Sequence, residues 1–177
     1  MTALAGIVPV QIGSQKSAIE IVRRIPGVSS AAQTPAIEAQ WEKQIIRVLD
    51  PVSLLACELE LTATVPQKNR RDAEHLKILV PCVRAFLRDV LQQVEIGKFP
   101  AWDWLNIVNQ ALKLTTSHRA KRIAGIFQID WSGILPLAAI AQSKDEKIRR
   151  FHDQQLQQGF RKSSGSRINL GHGSKSV

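Results

Sequence analysis

From Arg71 to Ile96 the apolar residues Leu76, Leu79, Val80, Val83, Phe86, Leu87, Val90, Leu91 and Val94 recur three and four positions apart. Only an α-helix gathers residues so spaced onto one side. The resulting face is wide, so this helix must be covered by other elements rather than lie free on a surface. Pro81 falls inside the run. It lacks the amide hydrogen and crowds the preceding turn, which predicts a kink there or a break near Val80. Gly97 and Pro100 end the pattern.

The remaining segments are read around that helix. Met1–Gly13 is apolar with Gly6, Pro9 and Gly13, an extended or loop stretch. Ser14 or Ser17 can cap a short helix through Arg24, with Ala18, Ile21, Val22 and Ile25 as its stripe. Thr34 and Pro35 suit a second helix start, followed by Ile37, Trp41, Ile45 and Val48 at helical intervals. Asp50-Pro51 repeats that start signal. Residues 51–65 fit a helix through Leu54, Leu55 and Leu59, yet Glu58–Val65 also alternates, so a helix giving way to an extended end is expected. Further helices follow from Pro100, from a cap at Ser117 to Phe127, and from the capping-box pattern Ser143–Glu146 to about residue 158. Gly133 and Pro136 mark a break. These elements predict an all-α fold: a single-domain bundle of six or seven helices over 1–158, then a flexible basic tail over 159–177. That tail holds no acidic residue.

At 177 residues the chain can bury a core without disulfides. Cys57 and Cys82 have neither metal-ligand nor disulfide spacing, and read as buried thiols in a reducing, cytoplasmic setting. No apolar run approaches the roughly 20 residues of a membrane span, and the N-terminus makes a poor signal peptide.

Charge is the strongest functional signal. The formal net charge is +9. Residues 1–66 carry five Lys/Arg against six Asp/Glu, whereas residues 67–177 carry nineteen against nine. The positive excess therefore lies in the last two-thirds. Within it, Arg70, Lys77, Arg84 and Arg88 are spaced by seven, seven and four, one stripe of the long helix, with Arg71 beside its start. The segment "TTSHRAKRIAGIF" brings His118, Arg119 and Arg122 onto one face, with Lys121 to the side and Ile123, Ile126 and Phe127 as an apolar anchor. Arg149, Arg150, Arg161 and Lys162 form a third basic group. Three same-sign clusters rich in arginine suit contact with phosphate oxygens. Aromatic residues are not interleaved with them, which disfavours base stacking and favours backbone contact blind to sequence. Trp102 and Trp104 diverge on a helix, so at most one faces the core; Trp41 and Trp131 read as core.

Nothing points to catalysis. The four histidines are scattered, and His75 in "EHLK" and His152 in "RFHD" read as surface residues. Glu58 and Glu60 show no partner acid or nucleophile. No phosphate loop, dinucleotide fingerprint or nucleophile elbow occurs. No cofactor or metal is expected.

A small, basic, all-helical chain with arginine stripes at Arg70, Lys77, Arg84, Arg88, Arg119, Lys121 and Arg122 resembles the small-subunit family of CRISPR effector (Cascade-like) complexes. The resemblance spans the whole chain in size, charge and helix content and rests on no signature motif. It implies a non-catalytic ribonucleoprotein subunit that holds RNA or single-stranded DNA by its backbone, beside other subunits and copies of itself, and away from membranes. Two other classes fit the same composition. One is a coat-like protein that packages a viral genome, using the tail as its arm. The other is an adaptor whose basic face meets an acidic protein.

Overall fold

The computed structural model describes residues 4–22, 36–41, 44–68 and 70–156. The expected tail, with Arg161 and Lys162, lies outside them.

The N-terminal part corrects the sequence reading. Where helices are expected over 14–24 and 35–49, two antiparallel hairpins form: β1 (Leu4–Ile12) with β2 (Gln15–Val22), and β3 (Ala36–Trp41) with β4 (Gln44–Leu49). The first closes on a two-residue turn, Gly13-Ser14, between the paired Ile12 and Gln15. Gly13 has φ +60°, the left-handed value that a hairpin turn with glycine first requires. Register slips between Leu4 and Gly6. In the second hairpin Ile37 pairs with Val48 and Glu38 with Arg47. Ile19, Ile21, Val22, Ile37, Ile45, Ile46 and Val48 are β-branched, a composition that suits strands better than short helices.

The all-α reading holds from Pro51 onward, with six α-helices among the described residues. These are α1 (Pro51–Thr64), α2 (Asp72–Glu95), α3 (Ala101–Thr116), α4 (His118–Phe127), α5 (Leu137–Ala141) and α6 (Glu146–Phe151). Asp50 caps α1, its Oδ1 accepting from the amides of Val52 and Ser53 at 2.9 and 3.0 Å, with Pro51 in the first turn. The helix runs to Thr64, so the alternation of Glu58–Val65 does not make a strand and the expected extended end shrinks to Val65. Helix α2 continues through Pro81, which is exposed. Ser117 caps α4 by accepting from the Ala120 amide, also as expected, and Gln128 closes that helix at φ 55°. A single 3-10 turn at Ser132–Ile134 and Pro136 at the start of α5 occupy the expected break.

The start of α6 differs from the capping box. Asp145, not Ser143, is its cap and accepts from the amides of Lys147 and Ile148. The Ser143 hydroxyl instead donates to Glu95 at 2.5 Å, and that carboxylate also accepts from the Lys144 amide. After α6 the chain continues into one π turn, His152–Leu156.

The chain divides into two compact units: residues up to Phe86 with Asn109–Ile134, and Leu87–Val108 with the residues from Leu135 on. Each has its own core. In the first, Leu55 of α1, Leu76 and Val83 of α2 and Ile123 of α4 are almost wholly buried. In the second, Leu87, Val108, Ile140 and Ile148 are buried along with Trp104, which donates its indole N–H to the Leu87 carbonyl at 2.8 Å. Trp102 is 65% exposed, so the two tryptophans diverge as expected. Trp131 is only half-buried and donates to the Ala120 carbonyl. The side chain of Trp41 lies outside the described set. Cys57 is buried, but Cys82 is exposed, which corrects its assignment as a core thiol. Among the described residues no helix is long and apolar enough to cross a membrane.

Candidate functional site

The basic residues singled out from the sequence separate into two classes. Some are neutralised within the fold. Arg70 lies just before α2 rather than on its stripe, and its guanidinium forks onto Asp72 with contacts of 2.7 and 3.1 Å. Arg119 of α4 is bound to Glu60 of α1. Arg150 pairs with Glu146 at 2.5 Å, one turn earlier on α6. Arg149 donates to the carbonyls of Ser143 and Lys144 at 3.0 and 3.1 Å, holding the loop that precedes its helix. Looser contacts join Arg71 to Glu74 at 4.0 Å and Arg88 to Asp89 at 3.7 Å. Of the four residues read as one stripe, Arg70 and Arg88 thus have acidic neighbours.

The second class is different. Lys77 and Arg84 on α2, and Lys121 and Arg122 on α4, are exposed and have no acidic partner among the described residues. All four belong to the first unit. Lys77 and Arg84 are seven residues apart, two turns or about 10.5 Å along the helix, and so share one face. Gly133 lies beside the Arg84 guanidinium, where a Cβ would make an ordinary van der Waals contact of 3.6 Å with Nη1. On α4, Ile123 is buried and anchors the helix. Phe127 is half-buried, whereas Ile126 is 64% exposed and takes no part in the anchor, contrary to expectation.

A comparison with protein-family models, with curated proteins and with solved structures finds no match to this chain. The chemistry of the side chains therefore carries the functional argument alone.

The first unit also holds a cluster that the sequence reading missed. Glu58 of α1 approaches His75 of α2, Oε1 to Nδ1, at 3.6 Å. Asp72, one turn before His75, is buried, and Gln67 donates to it at 3.1 Å beside the Arg70 fork. Glu58 Oε2 is buried without a hydrogen-bond partner. Burial raises the Glu58 pKa, and His75 offsets only part of that rise. At Asp72 burial also pushes upward, but the hydrogen bonds from Arg70 and Gln67 outweigh it and hold the carboxyl below its usual value. The neighbouring Cys57 thiol is pushed up, first by burial and then by the charges of Glu58 and Asp72. A local signal existed. Asp72 and His75 are three apart at a helix start, and Glu58, with Glu60, interrupts a mostly apolar stretch. What joins them is tertiary packing of α1 on α2, which no spacing rule supplies.

A shallow cleft of about 310 Å³ lies in the same unit, lined by Ala56, Leu59, Glu60, Lys113, Leu114 and Arg119 among others. Its rim carries the Glu60–Arg119 pair, so Arg119 shapes this cleft instead of offering a free charge.

Proposed function

We propose that this chain is a non-catalytic protein that binds the phosphate backbone of nucleic acid, with Lys77, Arg84, Lys121 and Arg122 as its principal contacts. The observation that carries this reading is that these four exposed cations have no acidic partner among the described residues, in a chain that neutralises Arg70, Arg119 and Arg150 internally. A cation already hydrogen-bonded to a carboxylate must give up that bond to meet a phosphate. One without such a bond meets it at no such cost. The positive excess after residue 66 supplies long-range attraction to a polyanion. Contacts of this kind position a backbone and carry no base information, so binding has little sequence preference.

In this reading the chain acts as one subunit of a larger ribonucleoprotein, the role played by small subunits of CRISPR effector complexes. The test is a salt titration of binding to single-stranded RNA, single-stranded DNA and duplex DNA. Log affinity should fall linearly with log salt. Replacing Lys121 and Arg122 by Gln should shallow the slope by about 0.7–0.9 for each phosphate no longer neutralised. Salt-independent affinity, or none for any polymer, would refute the reading. Tight binding to an acidic protein together with none to nucleic acid would assign the same surface to an adaptor.

A further inference from the structure

We propose that Glu58, Asp72 and His75 form a binding site for one divalent transition-metal ion, with Zn²⁺ the best match. One donor atom from each residue lies within 4.8 Å of the others. The set offers one imidazole nitrogen and two carboxylates, and zinc accepts both types. Two ionised carboxylates and a neutral imidazole carry two negative charges, the complement of a dication. Zinc bonds of about 2.0–2.2 Å place tetrahedral donors about 3.4 Å apart, so side-chain rotation suffices to close the site.

Local architecture favours this geometry. Asp72 and His75 stand three apart in the first turn of α2 and so project side by side. Glu58 reaches them from α1. Its Oε2 is buried and lacks any donor, an arrangement that is unfavourable for a carboxylate and that a metal ion relieves. The His75 side chain is 52% exposed, which leaves a side open for a water molecule as a fourth ligand.

Arg70 gives the site a distinctive signature. Its guanidinium occupies both oxygens of Asp72, the place where a cation would bind. Arg70 precedes α2, and its side chain is 39% exposed, so it can withdraw toward solvent. Metal and arginine therefore compete for one carboxylate. Loss of a ligand and loss of Arg70 must act in opposite directions.

The experiment uses the full chain, treated with chelator and titrated with Co²⁺ as a spectroscopic probe, then with Zn²⁺ as competitor. The parent should show a saturable ligand-field band at one ion per chain, abolished by Zn²⁺. Glu58→Gln and His75→Ala should each weaken binding by at least about tenfold, the loss that removing even an outer-shell partner causes. Arg70→Gln should tighten it. A parent without a saturable band overturns the proposal. So does His75→Ala binding as tightly as the parent, which would place the ion elsewhere; His75 is exposed enough that this variant folds even if Glu58→Gln does not. Weaker binding by Arg70→Gln would remove the competition and the assigned position with it.

Discussion

Helices α4 and α6 each carry two adjacent cations, Lys121-Arg122 and Arg149-Arg150, and they use them in opposite ways. On α6 the pair serves the fold. Arg149 ties down the carbonyls of Ser143 and Lys144, and Arg150 closes a one-turn ion pair with Glu146. On α4 the pair has no acidic partner among the described residues and faces solvent. Equal charge density in the sequence thus conceals two kinds of surroundings. The presence of a carbonyl or carboxylate within reach decides between them: the Ser143–Lys144 loop supplies it to Arg149, and Glu146 supplies it to Arg150.

The comparison can be broken most forcefully from beneath. Ile123 holds α4 in place and is 2% exposed, whereas Ile126 on the same helix is 64% exposed. Ile123→Ala should destabilise by about 2–5 kcal/mol, while Ile126→Ala should stay within about 0.5 kcal/mol. Chemical denaturation of both variants checks this. Equal losses would mean that α4 is not anchored through Ile123, and the exposure of its cations would lose its meaning.

A smaller effect is expected from the α6 doublet. Arg149→Ala with Arg150→Ala removes two hydrogen bonds from a charged donor and one exposed ion pair, for a loss of about 1–2 kcal/mol. The midpoint of thermal unfolding should fall, with little change in affinity for nucleic acid. Arg119→Ala comes next. Its pair with Glu60 is partly exposed, so removal should cost about 0.2–1 kcal/mol, and less as salt is raised. Melting at two ionic strengths measures both quantities. The smallest stability change belongs to Lys121→Gln with Arg122→Gln, within about 0.5 kcal/mol, alongside the shallower salt slope of binding. Should this double variant melt well below the parent, the α4 doublet would join the α6 doublet as structural.

How much of this is legible in the sequence varies with segment length and with range. Helix α2 is legible because its apolar period is sustained over many turns. The start of α1 at Asp50-Pro51 and that of α4 at Ser117 are legible because a cap is a local bond between residues three apart or fewer. In the N-terminal hairpins β1 falls in the stretch read as extended, but β2, β3 and β4 are not legible. Ile37, Trp41 and Val48 fit helical intervals, yet Ile37 and Val48 also meet directly when the chain folds back on itself. Six-residue strands are too short for periodicity to arbitrate. At Ser143 the capping motif is real as a pattern, but Glu95, 48 residues away, claims the hydroxyl. The same limit hides the Arg119–Glu60 pair and the Glu58–His75 contact. Basic residues can be counted in a sequence, whereas which carboxylate reaches each one cannot: Asp72 and Glu146 lie close by in the chain, but Glu60 reaches Arg119 from another helix.

Pro81 gives α2 a property that its continuous outline does not suggest. Proline has no amide hydrogen, so the carbonyl of Lys77, one turn earlier, receives no bond from within the helix. Because Pro81 is exposed, water can occupy that place, and the helix passes through without interruption. The ladder of amide bonds nonetheless has a missing rung two turns from the helix start. Amide exchange should sense it as a seam, with the turn that bears Lys77 opening more readily than the turn that bears Val83. A cation carried on such a turn has some freedom to follow a ligand of irregular contour while the buried turns beyond it stay closed.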